Sequence, residues 1–166
     1  MRILEVEQMS KFKHLFTRSY QEKVGDGHDD VLQKVSEDIV SFLTDLNIIQ
    51  HGMKIFEIGA AGCRNLRHIY DFNNNIELYA NDLHKDASFK NMDPRIREVI
   101  HFYEMDTLAL TREMTFEDID LLISSYHLMH IDDDSWDEII ENIKKKWKPK
   151  YIFLNELIMR EFPGHY

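Results

Sequence analysis

Five short apolar runs constrain this chain more than any other feature. They are 53–58 (MKIFEI), 76–81 (IELYAN), 99–105 (VIHFYEM), 119–125 (IDLLISS) and 150–157 (KYIFLNEL). Each is a continuous apolar run and reads as a buried strand. Helical stretches separate them. RNLRHIYDF (64–72) follows the first run, and Pro94 opens a helical turn before the third. Trp136, Ile139, Ile140, Ile143 and Trp147 mark a helix before the fifth, with Asp134 or Ser135 as its expected cap. Strand–helix alternation of this kind predicts an α/β chain, its mostly parallel sheet flanked by helices on both faces. Right-handed crossovers restrict the topology further.

The first fifty residues have a different rhythm. Met9, Phe12, Leu15, Phe16 and Tyr20 fall at helical spacing. After the loop VGDGHDD (24–30), Val31, Leu32, Val35, Ile39, Phe42, Leu43 and Leu46 form a second stripe, with Asp29 or Asp30 as its expected cap. Residues 1–50 therefore read as a helical cap or lid and 51–166 as the core, within one compact domain. The length of 166 residues and a hydrophobic content of 43 % suit that size.

The formal charge of −10 argues against a duplex nucleic acid as partner, since gripping phosphates calls for a basic face. KKKWKPK (144–150) is one short basic cluster at a helix carboxyl end, where lysines suit the dipole. No run of about 18 apolar residues suggests a membrane span. The start, MRILEVEQMS, lacks the build of a secretory signal. Cys63 is the only cysteine, so no internal disulfide forms and a cytoplasmic setting is expected.

In parallel α/β sheets ligands bind beyond the carboxyl ends of the strands. The first such end lies in FEIGAAGCRNL (56–66). A dinucleotide fingerprint starting at Gly59 fails, because Ala61 and Arg64 take the second and third glycine positions. A phosphate P-loop is absent. What remains is an acidic residue, Glu57, a tight turn from Gly59 to Gly62, and a helix. A carboxylate sits badly beside a pyrophosphate but suits a cationic amine. Asp82, at the end of the second strand, is placed to accept two ribose hydroxyl protons. Asp106, past the third strand, is placed to accept from an adenine amine. Amine, ribose and adenine together describe S-adenosylmethionine, whose sulfonium favours an acidic, aromatic-rich pocket.

The chain resembles class I S-adenosylmethionine-dependent methyltransferases over roughly residues 50–160. FEIGAAGCRNL resembles their first motif, which reads acidic-x-Gly-x-Gly-x-Gly. LYANDL (78–83), YEMDTL (103–108) and DLLISSYHLMHI (120–131) resemble their second, third and fourth strand ends. Within the superfamily it looks most like small methylases associated with pseudaminic acid biosynthesis. The resemblance implies a Rossmann-like sheet of order 3-2-1-4-5 that apparently lacks the usual carboxyl-terminal hairpin. It implies cofactor contacts at Tyr20, Glu57, Gly59, Ala60, Ala61, Gly62, Asp82, Leu83, Asp106, Thr107 and Ser124, with S-adenosylhomocysteine as product. His127, Tyr126 and Glu156 are the residues expected to steer or deprotonate a small or medium-sized acceptor. Two departures stand out: Ala61 and Cys63 replace family glycines. The open fifth-strand edge calls for cover, from residues 2–9 or from a second copy of the chain.

Each candidate also has a plainer reading. Gly59 and Gly62 serve any strand-to-helix turn, Asp82 any turn, and Asp106 the capping of TLALTRE. Tyr20 fits core packing, Arg64 the helix surface, and Cys63 a small buried residue. His127 suits a general base and His130 a structural role. HIDDD (130–134) invites a metal reading, but acids at a helix start are explained by capping and the dipole, and no metal is expected. The competing function is a degenerate cofactor binder, acting through a partner or by sequestering or breaking down the cofactor.

Overall fold

The computed structural model describes residues 2–3 and 28–155. Tyr20, Glu156 and the expected helix over 9–20 lie outside the described residues. The strands are β1 (Arg2–Ile3), β2 (Lys54–Ile58), β3 (Glu77–Asp82), β4 (Ile100–Glu104), β5 (Leu121–Ser125) and β6 (Tyr151–Asn155). The helices are α1 (His28–Asp45), α2 (Arg64–Phe72), α3 (Lys85–Asn91), α4 (Pro94–Val99), α5 (Thr107–Glu113) and α6 (Asp133–Asn142). A π-helical stretch, Ile143–Trp147, extends α6.

The sheet runs β1-β6-β5-β2-β3-β4 and every pairing is parallel. Without β1, that is the expected 3-2-1-4-5 order. Strand β1 lies along the fifth-strand edge, Arg2 opposite Tyr151 and Ile3 opposite Ile152. The amino-terminal segment therefore supplies cover for that edge.

Two apolar layers sandwich the sheet. One gathers Ile39, Val40 and Leu43 of α1, Leu66 and Ile69 of α2, and Ile55 and Leu78 of the strands. Residues 28–45 of the amino-terminal region thus pack into the main core. The other layer holds Phe56, Phe116, Leu122, Ile139 and Trp147. Phe56 and Phe116 lie 5.0 Å and 4.8 Å from the Trp147 ring. The Trp147 indole N–H donates to the Met114 carbonyl at 3.0 Å, so its one polar group is satisfied inside the core.

Two local expectations are corrected. Helix α1 begins at His28, ahead of Asp29 and Asp30. Helix α6 is capped by Asp132, which accepts from the Ser135 amide at 2.9 Å, rather than by Asp134 or Ser135. Its carboxyl end widens into the π stretch and closes at Lys148 in the left-handed region, φ 47°. The lysines there are partly engaged: Lys146 donates to the carbonyls of Thr111 and Arg112.

Candidate functional site: the carboxyl edge of the sheet

Register brings the strand ends together. Ile58 lies between Asn81 of β3 and Ser124 of β5, and Ser125 lies opposite Asn155. Past Ile58 the chain turns sharply through Gly59–Cys63 into α2. Gly59, Ala61 and Cys63 all have positive φ, at 62°, 44° and 54°. These are the three glycine positions of the family motif. The backbone is left-handed at all three positions although two of them carry side chains, at about 1–2 kcal/mol each. The Ala60 amide donates to the Asn81 carbonyl at 3.0 Å and the Cys63 amide to the Ala60 carbonyl at 2.7 Å, which fixes the turn.

Asp82 faces this loop. Its Oδ2 accepts from the Ala61 amide at 2.9 Å and its Oδ1 from the His84 amide at 3.4 Å. A carboxylate has about four lone-pair sites, so the same group has capacity for ribose hydroxyls. Leu83, next in the chain, is 57 % exposed and offers an apolar rim beside it.

Glu57 lies beneath the loop, 3 % exposed. Its Oε1 accepts from Asn65 Nδ2 at 2.6 Å, while its buried Oε2 has no hydrogen-bond partner among the described residues. Burial pushes this carboxyl up to about 7, against the opposing pull of Asn65, the Leu66 amide and Arg64. It sits under the start of α2, where the helix dipole favours a negative charge. These contacts tie Glu57 to the start of α2.

Asp106 caps α5, accepting from the Ala109 amide at 2.9 Å through Oδ1, and is exposed. Asp82 is bonded to the loop, Glu57 to Asn65 of α2, and Asp106 to the start of its own helix.

His127 closes the site from the β5 side. A Cβ added to Gly59 would lie 1.9 Å from His127 Cγ and 2.0 Å from its Nδ1. The ring is thus seated directly on the glycine, and no other residue fits there. Its Nε2 is 2.7 Å from Thr107 Oγ1, which accepts from Asn81 Nδ2 at 3.1 Å. Asn81 Nδ2 also donates to the Met105 carbonyl at 3.0 Å. Burial holds the His127 imidazole below its ordinary pKa, with His130 adding to the effect and Asp82 opposing it. Tyr126, just before it, is left-handed at φ 57° and donates its amide to the Asn155 carbonyl at 3.0 Å. That bend swings His127 from β5 over the loop.

Ser124 is fully buried at the end of β5. Ala60 is buried and Gly62 half-buried; a Cβ on Gly62 would meet the Asn91 carbonyl at 3.2 Å. Cys63 is fully buried, and burial together with the nearby Glu57 and Asp82 pushes its thiol up, which fits a packing residue and not a nucleophile. His130 is exposed on a short 3-10 turn. Among the described residues no group of three or more His, Cys, Asp or Glu side chains gathers as for a metal ion. No described helix is long and apolar enough to cross a membrane. Sequence reasoning gave neither Asn65 nor Asn81 a role. Both are buried amides beside predicted site residues, and for Asn81 a polar residue closing an apolar run was the available signal.

No protein-family model and no curated protein matches the chain. Solved structures do match. The mitomycin 7-O-methyltransferase MmcR aligns with a TM-score of 0.61 at 13 % identity, over 81 % of this chain and 38 % of its own. An O-methyltransferase family protein from Burkholderia thailandensis gives 0.59 at 19 %, over 86 % and 42 %. The magnesium protoporphyrin IX methyltransferase of Synechocystis PCC 6803, solved with bound S-adenosylmethionine, gives 0.56 at 13 %, over 87 % and 74 %. The chain spans less than half the length of the first two and 61 % of a Methanococcus maripaludis neighbour. Parallel order, glycine-loop position and these alignments agree: the chain has the fold of class I S-adenosylmethionine-dependent methyltransferases.

Proposed function

We propose that the protein is an S-adenosylmethionine-dependent methyltransferase for a small or medium-sized acceptor. The observation that carries this reading is the loop itself. Left-handed backbone persists at Gly59, Ala61 and Cys63, and Asp82 accepts from the Ala61 amide at 2.9 Å. A plain strand-to-helix turn has no need of three such residues, two of them strained. The cofactor supplies a methyl group already activated by its sulfonium charge.

The chain's own work is then mostly placement. Asp82 holds the ribose, and Leu83 covers an apolar face beside it. Glu57 keeps the loop in shape through Asn65, and its unpartnered Oε2 favours a nearby cationic amine. Tyr126 and His127 line the acceptor side, with Glu156 following β6 in sequence. Tyr20, in the amino-terminal segment, is assigned to the cofactor.

Calorimetric titration with S-adenosylmethionine and with S-adenosylhomocysteine tests the reading. Binding of both supports it; failure of both removes it. A degenerate binder is the second reading, favoured by the strain retained at Ala61 and Cys63. Chromatography of the cofactor after incubation without acceptor separates breakdown from storage, and methyl transfer in an acceptor screen argues for the enzyme.

A further inference from the structure

Three groups behind the loop form a buried chain that fixes one proton. Asn81 is 1 % exposed and Thr107 is 2 % exposed. The Met105 carbonyl accepts from Asn81 Nδ2, so the orientation of that amide is set by an acceptor that cannot be reversed. The second N–H of the same amide points to Thr107 Oγ1 at 3.1 Å. Thr107 therefore receives one hydrogen bond and has its own O–H to give. His127 Nε2, at 2.7 Å, is the acceptor within reach. A ring that accepts at Nε2 carries its proton at Nδ1 when neutral.

We propose that Thr107 is a positioning residue that fixes His127 as the Nδ1–H tautomer, with Nε2 withheld from general-base work. The bearing on catalysis rests on the methyltransferase reading; the tautomer does not. The usable lone pair of the imidazole is committed to Thr107, so it cannot take a proton from an acceptor without breaking the buried chain. The Nδ1 edge of the ring lies against Gly59. Tyr126 contributes by the left-handed bend that turns the ring to this place.

Long-range proton–nitrogen correlation spectra of the full 15N-labelled chain near pH 7.5 decide the matter, with H127Q used to assign the ring signals. The wild type is expected to show a protonated Nδ1 and an imine-like Nε2. In T107V the ring is expected to revert to the Nε2–H form that histidine prefers in water, and T107S is expected to restore Nδ1–H. A wild-type ring found as Nε2–H or doubly protonated overturns the proposal, as does a T107V ring that stays Nδ1–H. Should T107V not fold, the wild-type and T107S spectra still decide, because Nε2–H in either overturns it. With S-adenosylhomocysteine added, persistence of Nδ1–H supports the proposal and a switch to Nε2–H overturns it. If no resonance responds to that ligand, the methyltransferase reading fails while the tautomer result stands.

Discussion

Asn65 Nδ2 donates to Glu57 Oε1 at 2.6 Å, and it is the one hydrogen bond from a side chain that this buried carboxyl receives among the described residues. One such bond does not offset the loss of water around a charge. The carboxyl therefore holds its proton up to about pH 7 in the folded chain.

A pH-dependent stability follows. The folded-state pKa lies above the unfolded one, so the folded chain binds more protons between the two values. Stability from this group is full below the unfolded pKa and falls as pH rises toward about 7. Replacing Glu57 with Gln removes the ionisation. Relative to wild type, E57Q should gain roughly 2–3 kcal/mol between pH 5 and pH 8. Denaturant unfolding at the two pH values checks this; a difference that does not change with pH refutes it.

Gly59 admits no side chain. G59A faces a positive φ, costing about 1–2 kcal/mol, and a Cβ 1.9 Å from the His127 ring. The double variant G59A/H127A should recover the steric part and leave the backbone part. A double-mutant cycle by thermal or denaturant unfolding reads the coupling, expected at about 1 kcal/mol or more for groups in contact. Additive losses would mean the ring is not seated where described.

Ala61 and Cys63 should respond in opposite ways to glycine. Ala61 is exposed, so A61G relieves strain and loses little packing; a gain of about 0.5 kcal/mol is expected after the entropy of glycine is subtracted. Cys63 is fully buried, so C63G empties a core position, and a loss of about 1 kcal/mol or more is expected. Unfolding midpoints of the two variants check the contrast. Equal signs would contradict the left-handed loop.

Asp82 is expected to dominate cofactor affinity. A hydrogen bond to a charged group contributes about 1.5–3 kcal/mol, so D82A should weaken S-adenosylhomocysteine binding by at least about tenfold. D106A, which removes a helix cap, should lower stability by about 1 kcal/mol and change that affinity far less. Calorimetry on both variants separates the roles; a larger binding loss in D106A would return the adenine contact to Asp106.

The strands were legible because each is a continuous apolar run, and their ends moved by only a residue or two. From Glu57 to Cys63 the sequence also located the functional turn. The directions of the side chains were not legible. Whether Asp106 caps its helix or faces a ligand depends on how α5 leaves β4. The burial of Asn81 and Thr107 depends on which strands flank β3, a matter of register between distant segments. The left-handed geometry of Ala61 and Cys63 was hidden because side chains ordinarily argue against it.

The two-residue strand Arg2–Ile3 is the sheet's most distant pairing in sequence. Its partner is finished only when Tyr151 and Ile152 are in place, so the chain must close nearly its whole length before that edge is protected. Closing so long a loop for so few hydrogen bonds makes this the last ladder to form and the first to open. Until it docks, β6 exposes a bare row of amides and carbonyls, and self-association during refolding should begin there.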